Sequence, residues 1–218
     1  MQYRTLLYQF GGQIVSKDGK TATVNTDASK KALQMMYDWV YKYHIAPPPA
    51  GFSEWDAFVA NKVAILPNGT WFRNFLVEQH PDIHWAVWPA VQWGDKPAAW
   101  MNGHIMFTAT TESGDKLKAV QRYMEWVSNH GVDWAASGMV PARQSQVKAL
   151  DLKTYPSNIT IGNSLVKIGQ YDPANSNELE LITTLDIELS AMLANQETPA
   201  QAADNLQKRM QAAIDQGN

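Results

Sequence analysis

Short apolar runs that stop at a glycine or proline recur along this chain, and each is followed by a stretch with helical spacing. Residues 63–72, VAILPNGTWF, are the sharpest case. Four apolar residues reach Pro67, Asn68-Gly69-Thr70 turns the chain, and Trp71 opens the next segment. Runs this short suit strands, and strands alternating with helices predict an α/β fold with helices packed on a sheet. VAIL and HWAVW are expected as strands, and AAWMNGHIMFTAT as a strand interrupted at Asn102-Gly103.

Around these runs the local signals agree. GQIVS and TATVN flank KDGK, a hairpin turning at Asp18-Gly19. Asn25 or Thr26 can cap a helix whose apolar side is Ala32, Leu33, Met36, Trp39, Val40 and Tyr43. Pro47-Pro48-Pro49 stops it. Further helices are predicted after Ser53, from about Thr70 to Gln79, over 114–129, around Val132–Ser137 up to Gly138, and from Asn177 to Leu193. Thr198-Pro199-Ala200-Gln201 opens the last helix with a capping box and a proline at its first position. Residues 145–176 carry no clear period, and parts of them are expected to be helical.

Composition removes several function classes. There is no cysteine, so disulfides, thiol catalysis and thiolate metal sites are excluded. The net charge is −3 with scattered Lys and Arg, so nucleic acid is not an expected partner. No apolar run reaches the length of a membrane span. No signal peptide is expected at Met1-Gln2-Tyr3-Arg4, which lacks a charged region followed by an apolar one. Tryptophan and tyrosine, 9 and 8 against 6 phenylalanines, favour half-wet surfaces.

Trp71 raises the functional question. It follows a glycine at a strand-to-helix turn, where backbone can approach a ligand and a helix start offers free N–H donors. An indole face beside such donors suits a sugar, whose C–H face stacks while its hydroxyls take hydrogen bonds. The competing reading is that Trp71 and Phe72 pack the helix onto the sheet. Trp39, Trp126 and Trp134 are expected to pack, Trp88 to pack beside Pro89, Trp55 to rim a cleft, and Trp93 to be exposed. His80 and His84 are separated by Pro81 and make no metal pair. Glu54 with Asp56, or Glu178 with Glu180, could be proposed as glycosidase carboxylates, but such spacing points them to different helix faces. The first turn of a helix explains acidic residues without catalysis. No phosphate loop, catalytic triad or dinucleotide fingerprint is present, and no cofactor is expected. Asn68 and Asn158 head chance glycosylation sequons.

The order of segments carries a resemblance. It runs Phe10-Gly11-Gly12, VNTDASKKALQMMYDW, EWDAFVANKVAILPNGTWF, WPAV, AAWMNGHIMFTATTESGDKLKAVQRYMEWVS, GMVPAR and TPAQAADNLQKRMQ. This series resembles the extracellular solute-binding proteins of bacterial ABC importers, in the carbohydrate-binding group like maltose-binding protein. The resemblance implies a type II periplasmic-binding-protein-like fold in which two α/β lobes close on a sugar. It further implies a non-catalytic transport role, a membrane permease as partner, and a periplasmic or extracellular location, membrane-associated through a longer precursor. As implied ligand-binding residues it gives Gly69, Trp71, Trp100, Asn102, Gly103, His104 and Arg143. Arg143 could equally hold its loop by a salt bridge, and Gly103 could be a bulge without a ligand role.

Relatives carry a further half ahead of the region that begins here, so the chain resembles the C-terminal half. Residues 1–97 are expected to form the first part of the C-terminal lobe. Residues 98–145 would cross into the N-terminal lobe, and 146–218 would supply the closing helices. The crossing segment, about 98–137, is then expected to expose an apolar surface, covered by the missing lobe or by a second copy. The alternative functions are a carbohydrate-active enzyme and a half-protein that binds nothing alone.

Overall fold

A computed structural model describes residues 1–49 and 51–217. The elements are α1 (Gln2–Gln9), α2 (Asp27–Tyr41), α3 (Glu54–Val59), α4 (Phe72–Gln79), β1 (Ala99–Trp100), α5 (Gly114–Asn129) and α6 (Gly131–Trp134). A 3-10 turn at Ala135–Ser137 leads to α7 (Gln144–Ala149), α8 (Pro156–Ile168), β2 (Gly169–Gln170), α9 (Glu178–Leu193) and α10 (Pro199–Gln216). They fall into two compact units. Unit 1 comprises 1–67, 90–100 and 168–218, and unit 2 comprises 68–89 and 101–167.

The helix starts follow their caps. Thr26 accepts from the amide of Ser29, and Ser53 from that of Asp56. Thr198 and Gln201 form the reciprocal box, with Pro199 at the first helical position. Each cap satisfies a donor that the helix itself leaves free. Gln2–Gln9 form α1, which Phe10 caps before Gly11 takes a φ of 83°. The hairpin forms one antiparallel bridge, Val15 to Ala22. Its outer edge is paired by side chains: Gln207 accepts from the amide of Val24 and donates to the carbonyl of Ala22, and Gln211 accepts from the Ala22 amide.

The core of unit 1 gathers Tyr3, Leu6 and Leu7 of α1, Ile14, Val15 and Val24 of the hairpin, and Leu33 of α2. Leu185 and Met192 of α9 and Leu206, Met210 and Ile214 of α10 complete it. These side chains recur at helical spacing on α9 and α10, so burying one stripe of each drives the pairing. Unit 2 buries far less. Phe72 and Leu76 of α4, Ala135, Leu150 and the polar Asn158 are buried, while α5 buries none of its residues.

The sheet is smaller than the sequence predicts. β1 and β2 run parallel, Ala99 beside Gly169 and Trp100 beside Gln170, joined by the crossover through 101–168. VAIL at 63–66 and HWAVW at 84–88 are irregular, and the ladder of 98–110 ends after Trp100. A strand needs a neighbour for its amides and carbonyls. Among the described residues none flanks these runs, so their apolar pattern alone does not make them strands. The consequence is visible at Ile65, Ile105 and Phe107, which are 80%, 82% and 86% exposed. Trp88, Trp126 and Trp134, expected to pack, are exposed as well, the last two on helices α5 and α6. Trp39 does pack against the core, and Trp93 is exposed with its ring edge-on to Trp39 at 5.4 Å.

Candidate functional site

The implied ligand-binding residues fall in both units. Gly69, Trp71, Asn102, Gly103, His104 and Arg143 belong to unit 2, and Trp100 belongs to unit 1.

In unit 2, Trp71 stands just ahead of α4 with 44% of its surface exposed. Its six-membered ring folds back over Gly69: a Cβ at that position would meet ring carbons at 2.1 Å. The glycine is therefore a seat for the indole. The amide of Gly69 is not open to a ligand, because it donates to Asn68 Oδ1 at 2.7 Å. The helix start is also more occupied than the sequence suggests. The amides of Phe72, Arg73 and Asn74 donate to the carbonyls of Gly69, Thr70 and Trp71. Those of Thr70 and Trp71 have no partner among the described residues.

A second glycine fixes the turn from below. Gly138, at φ 91°, lies so close that a Cβ would sit 2.3 Å from the Thr70 carbonyl oxygen and 3.2 Å from Trp71 Cα. Asn158, 1% exposed, holds that loop by donating to the carbonyls of Ala135 at 3.2 Å and Met139 at 2.8 Å. This burial gives Asn158 a structural task and removes it from glycosylation. Thr70 Oγ1 reaches Met139 Sδ at 3.6 Å. Asn158 of α8, the 138–139 loop and the Trp71 turn thus form one connected support.

The remaining unit 2 residues are exposed and separately held. Asn102 Oδ1 accepts from the amide of Gly103, and a Cβ at Gly103 would meet nothing, so no bulge or close approach requires glycine there. His104 lies edge-on to Trp134 at 5.8 Å. Arg143 donates to Ser128 Oγ at 2.8 Å, which ties its loop to α5 through a hydroxyl, where the alternative to a ligand role was a salt bridge. Trp71 and Gly69 are in contact; Asn102, His104 and Arg143 each have other neighbours.

In unit 1, Trp100 is held by a buried polar cluster that the sequence reading missed. Its amide donates to Thr5 Oγ1 and its indole Nε1 donates to Asp172 Oδ2 at 2.9 Å. The Arg4 guanidinium lies 4.8 Å over its ring and pairs with Asp172 at 2.8 Å. Tyr8 donates to the other Asp172 oxygen. Burial, then the Asp172 carboxylate, pushes the Tyr8 hydroxyl well above the usual phenol range, so it stays a donor. Gln9, fully buried, donates to the carbonyls of Val91 and Ala98 and accepts from the amides of Trp93 and Gly94, aligning the chain into β1. A sequence signal existed: Arg4 sits in an apolar helix, where a charge must be paired.

No cluster of three or more His, Cys, Asp or Glu side chains that could hold a metal occurs among the described residues. Glu54 and Asp56 lie in the first turn of α3, and Glu178 and Glu180 in that of α9, each acidic group beside the positive end of its helix.

Comparison with solved structures places the fold. Maltose-bound MalE3 of Thermotoga maritima superposes with a TM-score of 0.79 at 18% identity, over 96% of this chain and 56% of that one. A solute-binding protein of an ABC transporter from Thermotoga lettingae, bound with α-D-tagatose, gives 0.78 at 20% over 98% and 56%. The cyclic α-maltosyl-1,6-maltose binding protein of Arthrobacter globiformis gives 0.77 at 16% over 99% and 55%. This chain has the fold of ABC-importer solute-binding proteins. It spans a little over half the length of these solute-binding proteins. No family model matches the sequence, and no curated protein matches it. No helix among the described residues is long and apolar enough to cross a membrane.

Proposed function

We propose that this chain is the C-terminal half of a carbohydrate-binding protein that serves an ABC importer, without catalysis of its own. The observation that carries the reading is the Trp71 ring, seated on Gly69, half-exposed, and braced from behind by Gly138. A flat apolar face beside the open amides of Thr70 and Trp71 offers a sugar both stacking and donors. Asn102, His104 and Arg143 supply exposed polar groups in the same unit. Several proteins of this fold are solved with a sugar bound, including maltose, α-D-tagatose and mannotriose. Binding would act by shifting the population of a hinged protein toward its closed form. The proposed location is periplasmic or extracellular, with a membrane permease as the transport partner.

The test is a tryptophan-fluorescence titration of the 218-residue chain with maltose, maltotriose, mannotriose and tagatose. A saturable change with one of these, lost in Trp71→Ala, is expected. A change that survives the substitution removes Trp71 from the site, and no response to any sugar overturns carbohydrate binding by this chain.

The reading also accounts for the bare face of unit 2. Ile105 and Phe107, with Tyr123 and Trp126 of α5, are exposed where the sequence reading expected an apolar surface. The solved solute-binding proteins have a further 43–45% of length with no counterpart here, as their coverage of 55–57% implies. We assign this face to packing against that further lobe. By sedimentation the chain should be monomeric, and hydrophobic-dye binding should fall in the Ile105→Ser, Phe107→Ser double variant. A stoichiometric dimer that the double variant dissociates would instead give the face to a second copy.

A further inference from the structure

The turn between α9 and α10 holds a carboxyl pair that ligand binding does not use. Glu188, on the penultimate turn of α9, is 3% exposed. Glu197, in the connection just before Thr198, lies within side-chain hydrogen-bonding reach of it. One oxygen of Glu197, Oε2, accepts from Asn205 Nδ2 of α10 at 2.7 Å. The other, Oε1, is closed off from solvent and has no hydrogen-bond partner among the described residues. Arg209 of α10 reaches Glu188 Oε1 at 2.8 Å. From α2, Tyr41 donates to the carbonyl of Leu193 and Tyr37 to Asn195 Oδ1, so neutral hydroxyls close the third side of the turn.

Among the described residues one cation, Arg209, faces two carboxyl groups here. An inaccessible acceptor with no donor is costly, and two carboxylates in one site do not both stay ionised easily. A single proton on Glu197 removes both faults: it gives the sheltered oxygen an O–H to donate, and Glu188 an additional donor. We propose that Glu188 and Glu197 share one proton and form an acid-tightened latch across the α9–α10 turn. Burial, then the neighbouring Glu188 carboxylate, holds the Glu197 carboxyl above the usual range, against the opposing pull of Asn205 and Arg209. A carboxyl with a raised folded pKa binds its proton more tightly in the folded chain. Its contribution is therefore present at low pH and lost as pH rises through the raised value. When the proton leaves to solvent, two like charges remain at the turn where Asn195 already adopts a φ of 59°.

The test compares the 218-residue chain with Glu197→Gln, whose amide donates at every pH. Thermal unfolding across about pH 5 to 8 should show the wild type losing stability relative to the variant as pH rises, the gap moving by about 3 °C. Carboxyl carbon NMR of the wild type should show one glutamate titrating above the ordinary range, absent in the variant. A gap that stays constant with pH, or all glutamates titrating in the ordinary range, overturns the proposal. So does calcium alone raising the melting temperature at neutral pH in the wild type but not in the variant, which would make the pair a cation site.

Discussion

Asp172→Ala is expected to destabilise unit 1 by about 3–5 kcal/mol, the cost of leaving a buried charge without its partner. Arg4 and Asp172 have side chains only 6% and 11% exposed, so water cannot take over the role of the carboxylate. Removing it also orphans the Tyr8 hydroxyl and the Trp100 indole N–H. Urea unfolding followed by circular dichroism measures the loss. The double variant Arg4→Met, Asp172→Leu should recover only the part owed to the unpaired Arg4 charge, because the Tyr8 hydroxyl and the Trp100 N–H still lack their acceptor. A single-variant loss below about 1 kcal/mol would mean that solvent reaches the cluster, in the range typical of surface pairs. The functional corollary concerns Trp100. Its ring is aimed by Asp172 on one edge and by Arg4 over one face, so Asp172→Ala should release the ring even in molecules that remain folded.

What the sequence made legible follows from where the deciding interactions lie. Caps and amphipathic stripes are local, so Thr26, Ser53 and Thr198 marked their helices correctly, and α9 and α10 followed from spacing. The resemblance carried by segment order anticipated the solute-binding fold. Strands were over-read because their stability is non-local. VAIL has the composition of a strand, but among the described residues it has no neighbour to bond, and only Ala99–Trp100 finds one. The same limit applies to the exposed tryptophans. Helical spacing made Trp126 look like a packing residue, yet α5 buries nothing. At the candidate site, Trp71 and Gly69 were visible as a turn signature. Their actual relation, a ring lying on a glycine, depends on a side-chain direction that spacing does not encode. The supports were invisible for a further reason: Gly138 and Asn158 lie 67 and 87 positions beyond Trp71, and nothing in their local pattern points back to it.

Those remote supports set the second large effect. Gly138→Ala is expected to cost unit 2 about 3 kcal/mol, from a left-handed backbone that alanine tolerates poorly together with a steric overlap. The overlap is with backbone, a carbonyl oxygen 2.3 Å from the added carbon, so no side-chain rotation relieves it. Either the 138–139 loop gives up its bonds to Asn158, or the Thr70–Trp71 turn moves. Gly69→Ala is the informative contrast. Its added carbon meets only the outer ring carbons of Trp71, and an exposed indole can swing away, so stability should fall much less. The ring would nevertheless leave its seat. If Trp71 serves as the sugar platform, both substitutions should abolish the fluorescence response, and Gly138→Ala alone should also lower the unfolding midpoint strongly. A full sugar response in folded Gly69→Ala would show that the seated orientation is dispensable. The case for Trp71 would then have to rest on its exposure alone, which it shares with Trp88 and Trp126.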